Sequence, residues 1–274
     1  MIRDAVTETE LVADFFHEGS NQPRRTVILL GGSEGGNFWS RQKRLLEGFV
    51  KRGYCVLSLA YFKAPGLPRS LEEIPLEYFE KAFAWLGAQP QVSPEGYALV
   101  GGSKGAEAAL LLGSRYPQVK AVAALLPSSV VWQGIPKNRL SIGKDPKSSW
   151  SFDGKGLPYV PSSLSLKNIA SLLTLRLRKS GEKDLQNTEC VKEAAIPVEK
   201  IQGAILLISG KRDQLWPSTY MCEQMVSRLA AAGFAHHYEH IAYDKGHTGV
   251  IRDRACWRTV YDFLEQHFPP NVAG

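Results

Sequence analysis

The sequence predicts an α/β fold built on a mostly parallel, doubly wound sheet. Three observations carry that expectation. Short aliphatic and β-branched runs alternate with stretches of helical periodicity. The turns that follow the runs are short and rich in glycine. The chain has 274 residues, 44% of them apolar and 22% charged, which is enough to bury one large core and ordinary for a globular protein.

Residues 26–30 (TVILL) read as a buried strand ending in Gly31-Gly32. Over 39–52, Leu45, Leu46, Phe49 and Val50 recur at helical spacing, and Gly53 stops the helix. Residues 54–62 (YCVLSLAYF) are the next strand, and 64–68, with two prolines and a glycine, are loop. An amphipathic helix over 71–89 carries Leu76, Phe79, Phe83 and Leu86. A strand at 97–100, a tight turn at 101–105, a helix at 106–116 and a strand at 121–126 follow. The rhythm breaks after Pro127. Residues 128–198 are crowded with Gly, Pro, Ser and Lys, with one helical piece expected over 164–179. So long an irregular stretch is usually functional, so 128–200 is expected to be a lid-like insertion after the strand at 121–126. The alternation returns with a strand at 204–209 (AILLIS), a helix at 219–232 ended by Gly233, a strand at 237–242 and a closing helix at 254–267. The whole span 1–274 is expected to form one domain.

No apolar run approaches the ~20 residues of a membrane span. The N-terminal 20 residues mix acids, arginine and apolar residues without the layout of a signal peptide, which points to a cytoplasmic protein. Cys55, Cys190, Cys222 and Cys256 are widely spaced, with no CxxC pair and no Cys/His cluster, so neither a disulfide framework nor a metal site is expected. Cys55 falls in a strand and reads as a core residue. Of the net charge of +6, most lies between Ser128 and Lys200, where twelve Lys or Arg face seven acids. That segment suits an anionic partner or is simply a solvated lysine-rich surface. It lacks the interleaved aromatics of a nucleic-acid module.

The chemistry concentrates at Gly101-Gly102-Ser103-Lys104-Gly105, where a buried strand meets a helix. This is a nucleophile elbow: a strained turn lifts the Ser103 hydroxyl clear of the backbone, and glycines on both sides allow close packing. The fold expected around such an elbow is the α/β-hydrolase fold. A serine needs a base, and the base an orienting acid, in the chain order nucleophile, acid, histidine. Asp213 follows the strand at 204–209, and His247 follows the strand at 237–242. Both would sit at the carboxyl edge of the sheet, where open α/β sheets bind ligands. His236, His237 and His240 fall in or before a strand, and His17 and His267 lie outside the required position. Asp244 is the rival acid and equally a turn former. The oxyanion needs two backbone N–H donors, assigned to Lys104 and to Ser33 in the loop Gly31-Gly32-Ser33-Glu34-Gly35-Gly36. That loop lacks the Lys-Ser/Thr of a phosphate-binding loop. Glu107 is either an anchor beneath the site or an exposed helix residue. Trp132, Trp150 and Trp216 either line an acyl pocket or pack the core.

Several stretches carry a more specific likeness: Ser58-Leu-Ala-Tyr61, Ile74-Pro-Leu-Glu-Tyr-Phe79, Gly102-Ser-Lys-Gly-Ala-Glu107, Ile196-Pro-Val-Glu-Lys-Ile201, Asp213-Gln-Leu-Trp-Pro-Ser218 and Gly246-His247. From about Thr26 onward the chain resembles the C-terminal catalytic domain of the acyl-CoA thioesterase and bile acid-CoA:amino acid N-acyltransferase family. The resemblance implies a triad of Ser103, Asp213 and His247 acting on acyl-CoA thioesters, with no metal or organic cofactor. Family acyltransferases place a cysteine at the nucleophile position, so the serine leans toward hydrolysis. Family members usually carry an N-terminal β-sandwich domain, and the stretch before Thr26 is too short for one. The expected partner is a small-molecule acyl thioester or ester. In the thioester case the basic segment 128–200 would meet the CoA phosphates. Two other readings stand beside it: a carboxylesterase or acyltransferase with the same triad, and a non-catalytic binding protein on the same scaffold.

Overall fold

A computed structural model describes residues 1–6, 10–20, 22–138, 145–162 and 177–271. The chain opens with an antiparallel hairpin, β1 (Ile2–Val6) and β2 (Val12–His17), and continues into β3 (Arg24–Leu30). A 3-10 turn (Trp39–Arg41) and α1 (Lys43–Val50) lead to β4 (Cys55–Ala60). A two-residue strand β5 (Ile74–Pro75) precedes α2 (Glu77–Gly87). Then come β6 (Val92–Gly102), α3 (Lys104–Arg115) and β7 (Val119–Leu125). The excursion after β7 holds β8 (Trp150–Phe152), β9 (Lys155–Gly156), α4 (Arg178–Asp184) and α5 (Thr188–Glu193). The chain closes with β10 (Ala204–Gly210), α6 (Ser218–Ala231), β11 (Tyr238–Tyr243), α7 (His247–Arg252) and α8 (Arg254–His267).

Among the described residues the main sheet runs β1-β2-β4-β3-β6-β7-β10-β11. From β4 to β11 every pairing is parallel, and the β1–β2 hairpin joins the β4 edge antiparallel. The expected α/β-hydrolase fold is what forms. Side chains alternate across the strands, and both faces are covered. Ile28, Leu30, Leu57, Leu99 and Leu207 pack toward α2, α3 and α6. Val27, Leu29, Val56, Val100 and Ile208 pack toward α1 and α8.

The elements differ from the sequence expectation where local signal is weak. The hairpin before β3 was not expected, because the charged residues of IRDAV and VADFFH dilute the strand pattern. The helix expected over 71–89 begins only at Glu77, since Ile74–Pro75 pairs with β8. The helix expected over 39–52 is a 3-10 turn followed by a shorter α1. The short helix beginning at His247 has no counterpart in the sequence expectation. The helical piece expected over 164–179 lies mostly outside the described residues.

The chain leaves β3 toward β4 on one side and returns as β6 on the other. The strand order therefore reverses at β3, and the loops leaving β3 and β6 diverge there into a crevice. Open α/β sheets bind ligands at such a switch point.

Candidate active site

Ser103 occupies the turn between β6 and α3 with φ 55° and ψ −118°, a backbone conformation that an L-residue holds only when its surroundings impose it. Its N–H donates to Leu125 O at 2.8 Å, and its carbonyl accepts from Ala106 N at 2.9 Å, which fix both ends of the turn. Gly105 is what lets the helix approach: a Cβ there would come within 2.3 Å of Leu30 O and 2.4 Å of Gly31 O. Both contacts are backbone and cannot yield cheaply. Gly105→Ala is expected to cost at least about 3 kcal/mol in urea unfolding, since overpacking against rigid backbone forces the elbow and β3 apart. A Cβ at Gly32 would meet Ser103 Cβ at 3.2 Å, so the loop after β3 passes directly over the serine.

That loop is held from beneath. Tyr61 donates its hydroxyl to Gly31 O at 2.5 Å. Asp14 on β2 accepts from Asn37 Nδ2 at 2.9 Å and also from the Ser40 hydroxyl, and the Ser58 hydroxyl on β4 donates to Asn37 Oδ1. The hairpin absent from the sequence expectation thus supplies the anchor of the loop carrying Ser33. Glu34 folds back so that its carboxylate accepts the Gly32 N–H at 2.7 Å, which places an exposed acid in the cavity wall.

Asp213 lies in the turn after β10 and is almost wholly buried. Its Oδ1 accepts from Leu215 N at 2.9 Å and Trp216 N at 3.4 Å, and its Oδ2 from the Ser218 hydroxyl at 2.9 Å. The remaining contact is His247 Nδ1, 2.8 Å from Oδ2. A carboxylate is acceptor-only, so this contact places the proton on Nδ1 and leaves Nε2 as an acceptor. The Trp216 ring stands edge-on to the imidazole with centroids 5.9 Å apart. The rivals are placed elsewhere. His240 on β11 bonds Ser209 Oγ through Nε2 at 2.8 Å, and Asp244 pairs with Arg212 at 3.0 Å.

Ser103 and His247 line one cavity of about 520 Å³, together with Ser33 and Lys104. Its other walls are mainly apolar, with Phe38, Trp39, Trp132, Ile135 and Trp216 among the lining residues. Among the described residues no hydrogen bond joins the Ser103 hydroxyl to the imidazole, an arrangement that sites commonly tighten only with substrate. Lys104 begins α3, where the first N–H groups of a helix have no intrahelical partner and form the positive end of its dipole.

Beneath the cavity lies a buried ion pair. Lys104 Nζ is 3.0 Å from both oxygens of Glu107 and donates to Ser149 Oγ at 2.7 Å. Glu107 Oε1 also accepts from Trp132 N at 3.2 Å and Trp150 Nε1 at 2.9 Å. Burial pushes the Glu107 carboxyl up and the Lys104 ammonium down, and the attraction between them opposes both shifts. Glu107 is therefore an anchor and not an exposed helix residue. Of the three tryptophans, Trp132 and Trp216 line the cavity, while Trp150 packs in the core. Among the described residues no cluster of metal-ligating side chains occurs, and no helix is long and apolar enough to cross a membrane.

The sequence model of the family described as "BAAT / Acyl-CoA thioester hydrolase C terminal" matches residues 74–249. Mouse acyl-coenzyme A thioesterase 1 is 30% identical over 235 residues, covering 84% of this chain and 50% of the mouse protein. Rat acyl-coenzyme A amino acid N-acyltransferase 2 is 30% identical over 237 residues, with the same two coverages. The chain spans about half the length of these relatives. Among solved structures, a Pyrococcus furiosus esterase superposes with a TM-score of 0.60 at 15% identity, over 93% of this chain and 85% of that one. DcsB in complex with its substrate analogue superposes with a TM-score of 0.61 at 15% identity, over 96% and 95%. With an α/β-hydrolase fold around a serine elbow and a family match over most of its length, this chain belongs to the BAAT / acyl-CoA thioester hydrolase C-terminal family.

Proposed function

We propose that the protein hydrolyses acyl thioesters, with an acyl-CoA as substrate, through Ser103, His247 and Asp213. The observation that carries the reading is the hydrogen bond by which buried Asp213 holds His247, whose imidazole lines the same cavity as the strained Ser103. Ser103 Oγ attacks the thioester carbonyl while His247 Nε2 takes its proton, and Asp213 holds the imidazolium that forms. The N–H groups of Lys104 and Ser33 hold the oxyanion. The C–S bond then breaks, and the thiolate leaves with the proton from His247. Water, deprotonated by His247, attacks the acyl-enzyme, and Ser103 recovers its proton as the free acid departs. The apolar walls take the acyl chain, and the insertion 128–200 supplies one of them through Trp132 and Ile135. All four cysteines are unpaired, which fits a reducing compartment, and the proposed location is the cytoplasm.

The test is release of free thiol from acyl-CoAs of increasing chain length, beside oxyesters of the same acyl groups. Thioester turnover well above oxyester turnover is the expected result. Turnover of oxyesters alone would keep the serine hydrolase and remove the thioester. Acyl transfer to added amines in preference to water would make the protein an acyltransferase.

A further inference from the structure

None of the described Lys or Arg residues between 128 and 200 lines the cavity, and Lys147 and Arg178 are occupied by Glu73 and Glu182. Among the described residues the arginine in the cavity wall is Arg252, at the end of the helix that begins with His247. It opens onto a surface of further arginines. Trp39 and Trp257 meet edge to face with centroids 5.2 Å apart, which seats the turn before α1 against the start of α8. Tyr261 completes the seam by donating its hydroxyl to Leu45 O at 3.1 Å. Arg254, Arg258 and Tyr261 recur at i, i+4 and i+7, so both arginines share the helical stripe that Tyr261 turns toward α1. Arg41 and Arg44 lie on the facing segment. All five arginines are exposed.

The carboxylates around them are largely engaged. Asp253 is held by Lys245 at 2.7 Å, Glu47 by Lys43 at 3.9 Å and Glu265 by Arg52 at 3.0 Å. Asp262, one turn beyond Arg258, and Glu34, in the cavity wall with Arg252, remain as exposed acids. Among the described residues none of the five arginines forms an ion pair with a carboxylate. Guanidinium groups grip phosphate oxygens two at a time, which ammonium groups do not. Exposed cations without counter-charges also attract anions from solution, an effect that salt screens.

We propose that Arg252, with Arg254, Arg258, Arg41 and Arg44, docks the phosphate groups of the CoA part of the substrate. The pantetheine arm would then pass Arg252 into the cavity. The inference rests on the thioesterase reading. It moves the phosphate site from the 128–200 segment to the seam between α1 and α8.

The test uses one acyl group on three carriers: CoA, dephospho-CoA and pantetheine. The proteins are wild type, Arg252→Gln, the double variant Arg254→Gln/Arg258→Gln, and Lys179→Gln/Lys183→Gln from the insertion. Exposed substitutions of this kind rarely disturb a fold. KM for acyl-CoA is expected to rise roughly tenfold in both arginine variants, the scale of one lost charge-assisted contact. The rise shrinks for dephospho-CoA, nearly vanishes for acyl-pantetheine, and fades in high salt. The lysine variant leaves all three KM values in place. Equal shifts on CoA and pantetheine, or a larger shift in the lysine variant, would overturn the docking site. If wild type cleaves no thioester on any carrier, the thioesterase reading itself falls. Calorimetry with CoA alone then decides the docking site: binding that the arginine variants weaken keeps it, and absence of binding removes it.

Discussion

Ser103→Ala is expected to lower kcat/KM for the best acyl-CoA by about 10³-fold or more, which is what loss of a triad nucleophile costs. The replacement adds no bulk beside Gly32 and leaves an L-residue at the same positive φ, so circular dichroism and urea unfolding should match wild type. Residual activity over the uncatalysed reaction should persist, because oxyanion donors and substrate binding remain. On the proposed mechanism the two side chains act as one unit, so His247→Ala should cost about as much and the double variant little more. Additive losses would mean that Ser103 and His247 do not act on the same step. Asp213→Asn probes the third member by a different route. An amide at that position can donate to Nδ1 and stabilise the wrong tautomer, which can cost on the order of 10⁴-fold in kcat with the geometry intact.

The second large effect lies beneath the serine. Glu107→Gln keeps an acceptor for Trp150 Nε1 and Trp132 N but strips Lys104 of its counter-charge in a site where both groups are fully buried. Breaking one partner of a buried pair costs about 3–5 kcal/mol, because the charge left behind has neither water nor partner. The loss should depend on pH in a defined direction. Without Glu107, burial holds the Lys104 pKa below its ordinary 10.5. Between the folded and ordinary values the unfolded chain then binds more protons than the native one, so the variant gains stability as pH rises toward that value. Urea midpoints measured from pH 7 to 10 should climb for Glu107→Gln relative to wild type. A flat difference would mean that the ammonium has found another partner. Because Trp132 and Ser149 are tied to this pair, the variant should also raise KM for long acyl chains more than for short ones.

Local rules located much of this molecule. The elbow was legible because a strand, a turn and a helix within a few residues leave glycine as the residue that fits at 105. The positions of Asp213 and His247 followed from counting strands, since each parallel strand delivers its next loop to the same edge. The buried strands β4, β7 and β10 and the 97–100 part of β6 were readable from continuous apolar runs, whereas the polar start of β6 was not. The hairpin β1–β2 was not, because its strands carry Arg3, Asp4 and Asp14. Asp14 is tolerated there only because Asn37, Ser40 and Arg3 converge on it from other segments.

The same division runs through the site. Residue type, spacing and chain order belong to the sequence, and they determined the fold class and the candidates Ser103, Asp213 and His247. Tertiary structure alone decided that Glu107 is an anchor, since its partners Trp132 and Trp150 come from 25 and 43 residues further along the chain. It alone set the segment carrying Arg41 and Arg44 against the helix carrying Arg254 and Arg258, across a seam that Trp39, Trp257 and Tyr261 close. Periodicity reports how a segment meets water on its own. It carries no record of which distant segment will supply a counter-charge or a wall, and that is settled only when the chain packs.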